Sequence, residues 1–438
     1  MFLTAVLFAV ALTIVLSRGL FATDTIFTLG VIMWHVPLIL LAQFPNMLGP
    51  YLDYLVTIYQ IDRYDDLVLQ ACIAAPLGFW VGGIIRRQLT ARRRRFRTAV
   101  PRRWTTTPNY VYLFAFLWLI SLGLNAATYA TRGAGSYAQT IGSGAGTIHP
   151  VIDWFLIYCY LVMLLFFVAR LPDMQRRVPL WRLSLAFLPL LPLFLSGSRQ
   201  AFLGPILALV VMSLPLERRN KPIISVLFVL MMAILPFLSN ALRMSRIGDQ
   251  EVVGWGDTGG YVGFLFELGR TVRLVGWAES VCSRIAPDPV GYVTEALGRL
   301  VFLGGNFENL TVSVTGGGNG FTFIAEAICI AGPSAVAPWS LLFGLVLGFL
   351  FSVRLTETSD LRDRFVFAFY LSVGVMWPRD EVLAYVREMV WFGILPQYVL
   401  LRYVRPAEPD PVPDPETERL PPAPRPPGVR GHQRFARR

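Results

Sequence analysis

Arginine is the residue type whose placement in this chain asks for a chemical explanation. Arg199 lies in LSGSRQAFLGP, between two apolar runs. Arg243 and Arg246 are three apart in SNALRMSR, directly after another apolar run. Arg270 and Arg273 are also three apart, in FLFELGRTVRLVGW, with Glu267 three residues ahead of Arg270. Arg379 stands in WPRDEV. Three-residue spacing puts each pair on one helix face. A guanidinium forks onto two phosphate oxygens and does not lose its charge, so several of them at one surface suit a diphosphate. Carboxylates lie among them, Glu267 first and Glu326 second, with Asp249 and Asp257 further off. A carboxylate within reach of a hydroxyl takes its proton as the oxygen attacks. Glu267 and Glu326 read equally well as salt-bridge partners that orient an arginine. Any one of the arginines could also simply reach lipid phosphate or pair with a nearby acid. That plainer reading is preferred for Arg284, Arg299 and Arg387.

The elements that must position these groups are membrane helices. Of 438 residues, 55% are hydrophobic, and they come in blocks of roughly 15 to 20 separated by arginine clusters. The fold class is therefore all-α, a polytopic membrane protein of about 11 spans. Spans are expected at 2–17, 26–44, 67–85, 108–127, 151–169, 183–196, 201–215, 222–240, 335–353, 365–377 and 389–401. Those within 183–215 and 365–401 are short, which lets their connecting turns sink below the outer lipid surface. Polar groups at that depth are tolerated where they line a cavity.

Charge sets the expected sidedness. Alternating the spans puts Arg18, the loop RRQLTARRRRFRTAVPRR at 86–103, and 170–182, 217–221, 354–364 and the tail on one face. That face holds 28 of the 39 basic residues. By the positive-inside rule it is cytoplasmic, with the N-terminus outside and the C-terminus inside. All six arginines singled out above then face outward, against the rule. The membrane domain is expected over 1–404, with one large extracytoplasmic loop at about 241–334. In that loop the run GGGNG reads as a flexible hinge leading back to the membrane. Residues 405–438, rich in proline and charge, read as a disordered cytoplasmic tail. The N-terminus is apolar from its second residue and lacks a basic leader, so it reads as a retained span.

The basic excess, 39 against 28 acidic residues with Lys221 the one lysine, follows the loops and does not indicate nucleic acid. His35, His149 and His432 are scattered, and Cys72, Cys159, Cys282 and Cys329 show no metal spacing. No metal site is expected. A disulfide between Cys282 and Cys329 outside the cytoplasm is conceivable on these assignments.

Three stretches resemble a family, the Wzy-type oligosaccharide repeat-unit polymerases, related to O-antigen ligases. LSGSRQAFLGP resembles its turn between short spans. GGGNGFTFIAEAICIAGPSAVAPWSLLFGLVLGFL resembles its glycine-rich loop, acidic residue, small-residue turn and glycine-spaced span. WPRDEVLAYVREMVWFGILPQYVL resembles its closing helix pair with an arginine–acid turn. The resemblance covers roughly residues 110–404. It implies a multi-pass plasma (inner) membrane glycosyltransferase acting on the outer leaflet, with polyprenyl-diphosphate-linked oligosaccharides as substrates and no cofactor. Arg199, Arg243, Arg246, Arg270, Arg273 and Arg379 would meet the diphosphate and glycan, and Glu267 or Glu326 would serve as base. Membrane lipids, a chain-length regulator and a flippase are the implied partners, with no nucleic acid. An O-antigen-type ligase is the nearest alternative, yet ligases of this superfamily generally use a histidine in the large outer loop, and 241–334 contains none. A lipid-linked oligosaccharide or polysaccharide transporter is the alternative of another class. It would keep ionisable groups at the midplane between related halves.

Overall fold

The structure, a computed structural model, describes residues 2–42, 61–94, 104–106, 108–132, 188–191, 322–356, 361–379, 388–397 and 404–406, with a few single positions between them. The elements used below are α1 (Phe2–Arg18), α2 (Thr23–Ala42), α3 (Ile61–Arg94) and α4 (Pro108–Arg132). They continue with α5 (Phe323–Ala331), α6 (Val336–Phe351) and α7 (Leu361–Ser372). The described chain is helical apart from one ribbon of two three-residue strands, Trp104–Thr106 paired antiparallel with Val404–Pro406. Tyr64–Thr90 and Pro333–Phe351 are long and apolar enough to cross a bilayer. The expected spans at 151–169, 201–215 and 222–240 and most of 183–196 lie outside the described residues.

The centre of the packing is a parallel pair, α3 and α6. Gly78 and Gly82 on α3 lie against the backbone of Leu341 and Leu345, while Gly344 and Gly348 on α6 lie against Ala75 and Phe79. Each glycine is four residues from its mate, one turn on, so each helix carries a smooth groove into which the other's backbone fits. A Cβ at Gly82 would stand 2.7 Å from the amide nitrogen of Phe349, and one at Gly78 2.9 Å from that of Leu345. Only glycine allows this approach. In lipid, such packing supplies the attraction that apolar side chains, already solvated by tails, do not.

The α2 helix leans on this pair through Phe27, stacked on Phe79 at 4.8 Å and set edge-on to Phe343 at 6.2 Å. One end of the bundle is fastened by polar groups. The Thr23 hydroxyl donates to the Phe351 carbonyl at 2.9 Å and accepts from the Val353 amide at 2.9 Å. Ala22 and Arg354 form a β-bridge. Asp24, buried, takes Arg18, Arg87 and the Ser352 hydroxyl, and Arg86 donates to the Leu350 carbonyl at 2.5 Å. The connectors at 19–22 and 352–356 and the lower part of α3 thus share one end. Continuous helix through Arg94 carries α3 well past the expected 67–85, because 34 residues extend about 51 Å.

The far half departs from straight spans. After α5, a nine-residue helix, Gly332 at φ 81 turns the chain through a short 3₁₀ segment into α6. The Phe323 ring, at the start of α5, stacks on Phe343 of α6 at 5.1 Å. Phe343 is eight residues above Phe351, about 12 Å along the helix. The N-terminus of α5 therefore lies at mid-depth. Buried residues fill α5 from Phe323 to Ile328. The α7 helix is twelve residues, about 18 Å, against the ~30 Å of a bilayer core. A 3₁₀ turn, Gly374–Arg379, follows it, then a returning helix that contains the π-helical stretch Met389–Ile394.

Candidate functional site at mid-depth

Three breaks in regular structure meet at one level. The first is the start of α5. Thr322 caps it, its hydroxyl accepting from the Ala325 amide at 3.1 Å and its carbonyl from the Glu326 amide at 2.9 Å. The hydroxyl satisfies one of the four first-turn donors that a helix leaves without intrahelical partners, and the carbonyl accepts the first bond of the helix itself. The second is the 3₁₀ turn Gly374–Arg379. The third is His35, fully buried on α2, two residues before Pro37, which has no amide to give the helix.

Hydrogen bonds join all three. The Val382 amide donates to Glu326 Oε2 at 3.0 Å. His35 Nε2 lies 2.6 Å from the Pro378 carbonyl. A carbonyl only accepts, so His35 carries its proton on Nε2. The His35 ring stands edge-on to Phe323 at 5.6 Å. Between the two bonded points, Pro378 and Val382, stands Arg379. Trp377 fastens the same turn from below. Its ring packs on Phe351, Phe369 and Tyr370 at 5.3 to 5.6 Å, and its Nε1 donates to Glu388 at 2.9 Å.

The depth follows from helix geometry. His35 is twelve residues above Thr23, about 18 Å along α2, with seven residues, about 10 Å, still above it. The WPRDEV turn bonded to His35 is thus sunk about 10 Å below the end of α2. Non-helical backbone survives at such depth where protein buries it or where it borders a water-filled cavity. The α7 helix overlaps the expected short span at 365–377 and is twelve residues long, and the turn that follows it is sunken.

The sequence-derived site residues divide accordingly. Glu326 and Arg379 are brought to one turn, Glu326 through its carboxylate and Arg379 through its backbone. Arg199, Arg243, Arg246, Arg270, Arg273 and Glu267 lie outside the described residues. Glu326 is fully buried and accepts from a backbone amide. His35 is a site residue the sequence reading passes over as one of three scattered histidines. Its one signal in the sequence is an ionisable ring inside a 20-residue apolar helix.

Cys72 is free and buried. Cys329, near the Gly332 turn at the top of α5, is disulfide-bonded, to a partner outside the described residues.

The profile of the family described as O-antigen polysaccharide polymerase Wzy matches residues 1–405. The chain belongs to that family. No curated protein and no solved structure matches it. Wzy proteins are membrane proteins that polymerise lipid-linked oligosaccharide repeat units, a glycosyltransferase-type activity. The matched region runs across the whole of the bundle, including the three-part junction at His35, Glu326 and the WPRDEV turn.

Proposed function

We propose that this chain joins polyprenyl-diphosphate-linked oligosaccharide repeat units on the outer leaflet of the plasma membrane. Its outward arginines meet the departing diphosphate. In that step an acceptor hydroxyl oxygen bonds to the anomeric carbon of the donor glycan and the bond from that carbon to the diphosphate breaks. The hydroxyl proton passes to a carboxylate, and the polyprenyl diphosphate leaves as a polyanion. Donors already aimed at the developing charge lower the barrier, and guanidiniums supply them without depending on pH.

The observation that carries this reading is the sunken turn bearing Arg379, pinned by Glu326 and His35. A lipid-borne diphosphate rides at the membrane surface with its prenyl tail in the core. An arginine turn about 10 Å below the helix ends meets such a group from within the bilayer. Arg199, Arg243 and Arg270 are assigned to the diphosphate, with Arg246, Arg273 and Arg379 in support. Glu267 is the preferred base. Glu326 serves as orienting partner, because it is already engaged by the Val382 amide.

Two features support the orientation, N-terminus outside and C-terminus inside. Disulfides persist outside the cytoplasm, and Cys329 carries one at the Gly332 end of the bundle. The arginine-rich end, with Arg18, Arg86, Arg87 and Arg354, lies opposite, as the positive-inside rule requires. The parallel run of α3 and α6 also demands an odd number of crossings between them, which agrees with five in an eleven-span chain.

The deciding experiment supplies purified protein in lipid with polyprenyl-diphosphate-linked repeat units, no nucleotide sugar and chelator present. Products are read by mass spectrometry. A ladder of whole repeat units with released polyprenyl diphosphate is expected. Transfer to a different lipid or protein acceptor would make it a ligase, and intact substrate would defeat the proposal.

A further inference from the structure

His35 is joined to the last outer turn by one bond, from Nε2–H to the Pro378 carbonyl at 2.6 Å, next to Arg379. Its other nitrogen, Nδ1, is buried and has no hydrogen-bond partner among the described residues. Burying an unpaired ring nitrogen in an apolar helix is costly, and an apolar residue would fill the same space against Phe323 without that cost. The arrangement therefore uses one half of the imidazole only. What the position supplies is a donor, at the reach of Nε2, aimed across the bundle from α2 at a carbonyl of the sunken turn.

We propose that His35 is a positioning residue for transfer, which holds the Pro378–Arg379 backbone at the depth where Arg379 meets the diphosphate. The inference rests on the function proposed above for that turn. His35 acts as a fixed donor and takes no proton from substrate. It works with Glu326, which grips the turn four residues on through the Val382 amide. Two bonds from two different helices thus bracket Arg379 along the chain. A displacement of about 1 Å at such a site costs about 10²-fold in rate.

The test compares His35→Gln, His35→Phe and His35→Asn in the purified full chain. A glutamine amide nitrogen reaches as far as Nε2 and donates, and the missing Nδ1 lone pair loses no bond. Phenylalanine keeps the ring against Phe323 without a donor. Asparagine keeps an amide that stops short of Pro378. His35→Gln is expected to keep kcat within about threefold of wild type, and His35→Phe to lose about 10²-fold in kcat with little change in KM for the lipid-linked unit. Arg379→Ala combined with His35→Phe should be no slower than Arg379→Ala alone, because both act through one group. Thermal melting of each purified variant guards against misfolding. If the phenylalanine variant does not fold, the glutamine and asparagine pair carries the comparison. Wild-type kinetics in His35→Phe, equal loss in His35→Gln, or multiplied losses in the double variant would each overturn the inference. Full activity in Arg379→Ala would instead overturn the reading of the turn itself.

Discussion

Alanine at Gly348 and alanine at Gly123 should move stability in opposite directions, although the change is the same. At Gly348 the new Cβ would overlap the Phe79 carbonyl oxygen and stand 2.8 Å from the Phe79 Cα. The obstacle is backbone, which has no rotamer to yield, so α3 and α6 must part by about 1 Å, and a gap of that size forfeits up to half of each interface contact. Four glycine-to-backbone approaches hold this pair, at Gly78, Gly82, Gly344 and Gly348. Close backbone approaches of this kind are worth about 0.5–1 kcal/mol each, so halving four of them loses about 1–2 kcal/mol. Overpacking adds about 1–3 kcal/mol, and the better helix propensity of alanine returns about 1 kcal/mol. The net cost is about 1–4 kcal/mol. At Gly123 nothing among the described residues stands within 4 Å of the added methyl, so alanine there keeps the propensity gain and should stabilise by about 0.5–1 kcal/mol. Thermal unfolding of the two variants in the same detergent measures the contrast. Polymerisation should fall with Gly348→Ala as well, because α6 carries α5 and Glu326 through the Gly332 turn. If Gly348→Ala unfolds at or above the wild-type temperature while Gly123→Ala does not rise, the parallel glycine pairing is wrong.

The other predictions concern charge. Glu326→Gln keeps an oxygen for the Val382 amide and should retain much of the activity, whereas Glu326→Ala strands that amide and should lose stability by about 1–3 kcal/mol and most of the polymerisation. Equal, complete inactivation by both would return Glu326 to the role of base. Arg199→Ala and Arg243→Ala should abolish polymer in cells while immunoblots show normal expression, and wild-type chain lengths in the Arg199 variant would sink its assignment. Asp24→Ala leaves Arg18 and Arg87 facing each other without their carboxylate. Its cost, measured by thermal unfolding, should lie toward the low end of about 3–5 kcal/mol, because Arg87 is partly open to solvent.

Apolar length made the framework readable. The starts and ends of α1, α2, α4 and α6 fall within a few residues of the expected spans, since a bilayer imposes its thickness on any helix that crosses it. The shortness of 365–377 was readable for the same reason, and with it the sinking of WPRDEV. The burial of α5 was not. Its nine residues follow a glycine run, and local sequence cannot say that FIAEAICIA turns back against α6 and not across a loop surface. The bonds of the site were equally hidden. His35 to Pro378 spans 343 residues and Glu326 to Val382 spans 56, and both end on backbone atoms, which leave no mark in side-chain identity. The four-residue glycine spacing is visible in LGFWVGG and GLVLGFL, but spacing alone does not say which helix meets which.

The mating of α3 with α6 also has a consequence in time. Arg86 and Leu350, which bond across the pair, are 264 residues apart. At about 5–20 residues per second of synthesis, α3 waits on the order of tens of seconds before α6 leaves the ribosome. Through that interval the groove at Gly78 and Gly82 lacks the α6 backbone that fills it in the finished fold. Assembly of this protein is thus closed late, by one of its last helices, and the turn that Glu326 holds is made later still, 56 residues after it. A nascent chain halted before α6 would lack both the glycine-paired core and the bond from Val382 to Glu326.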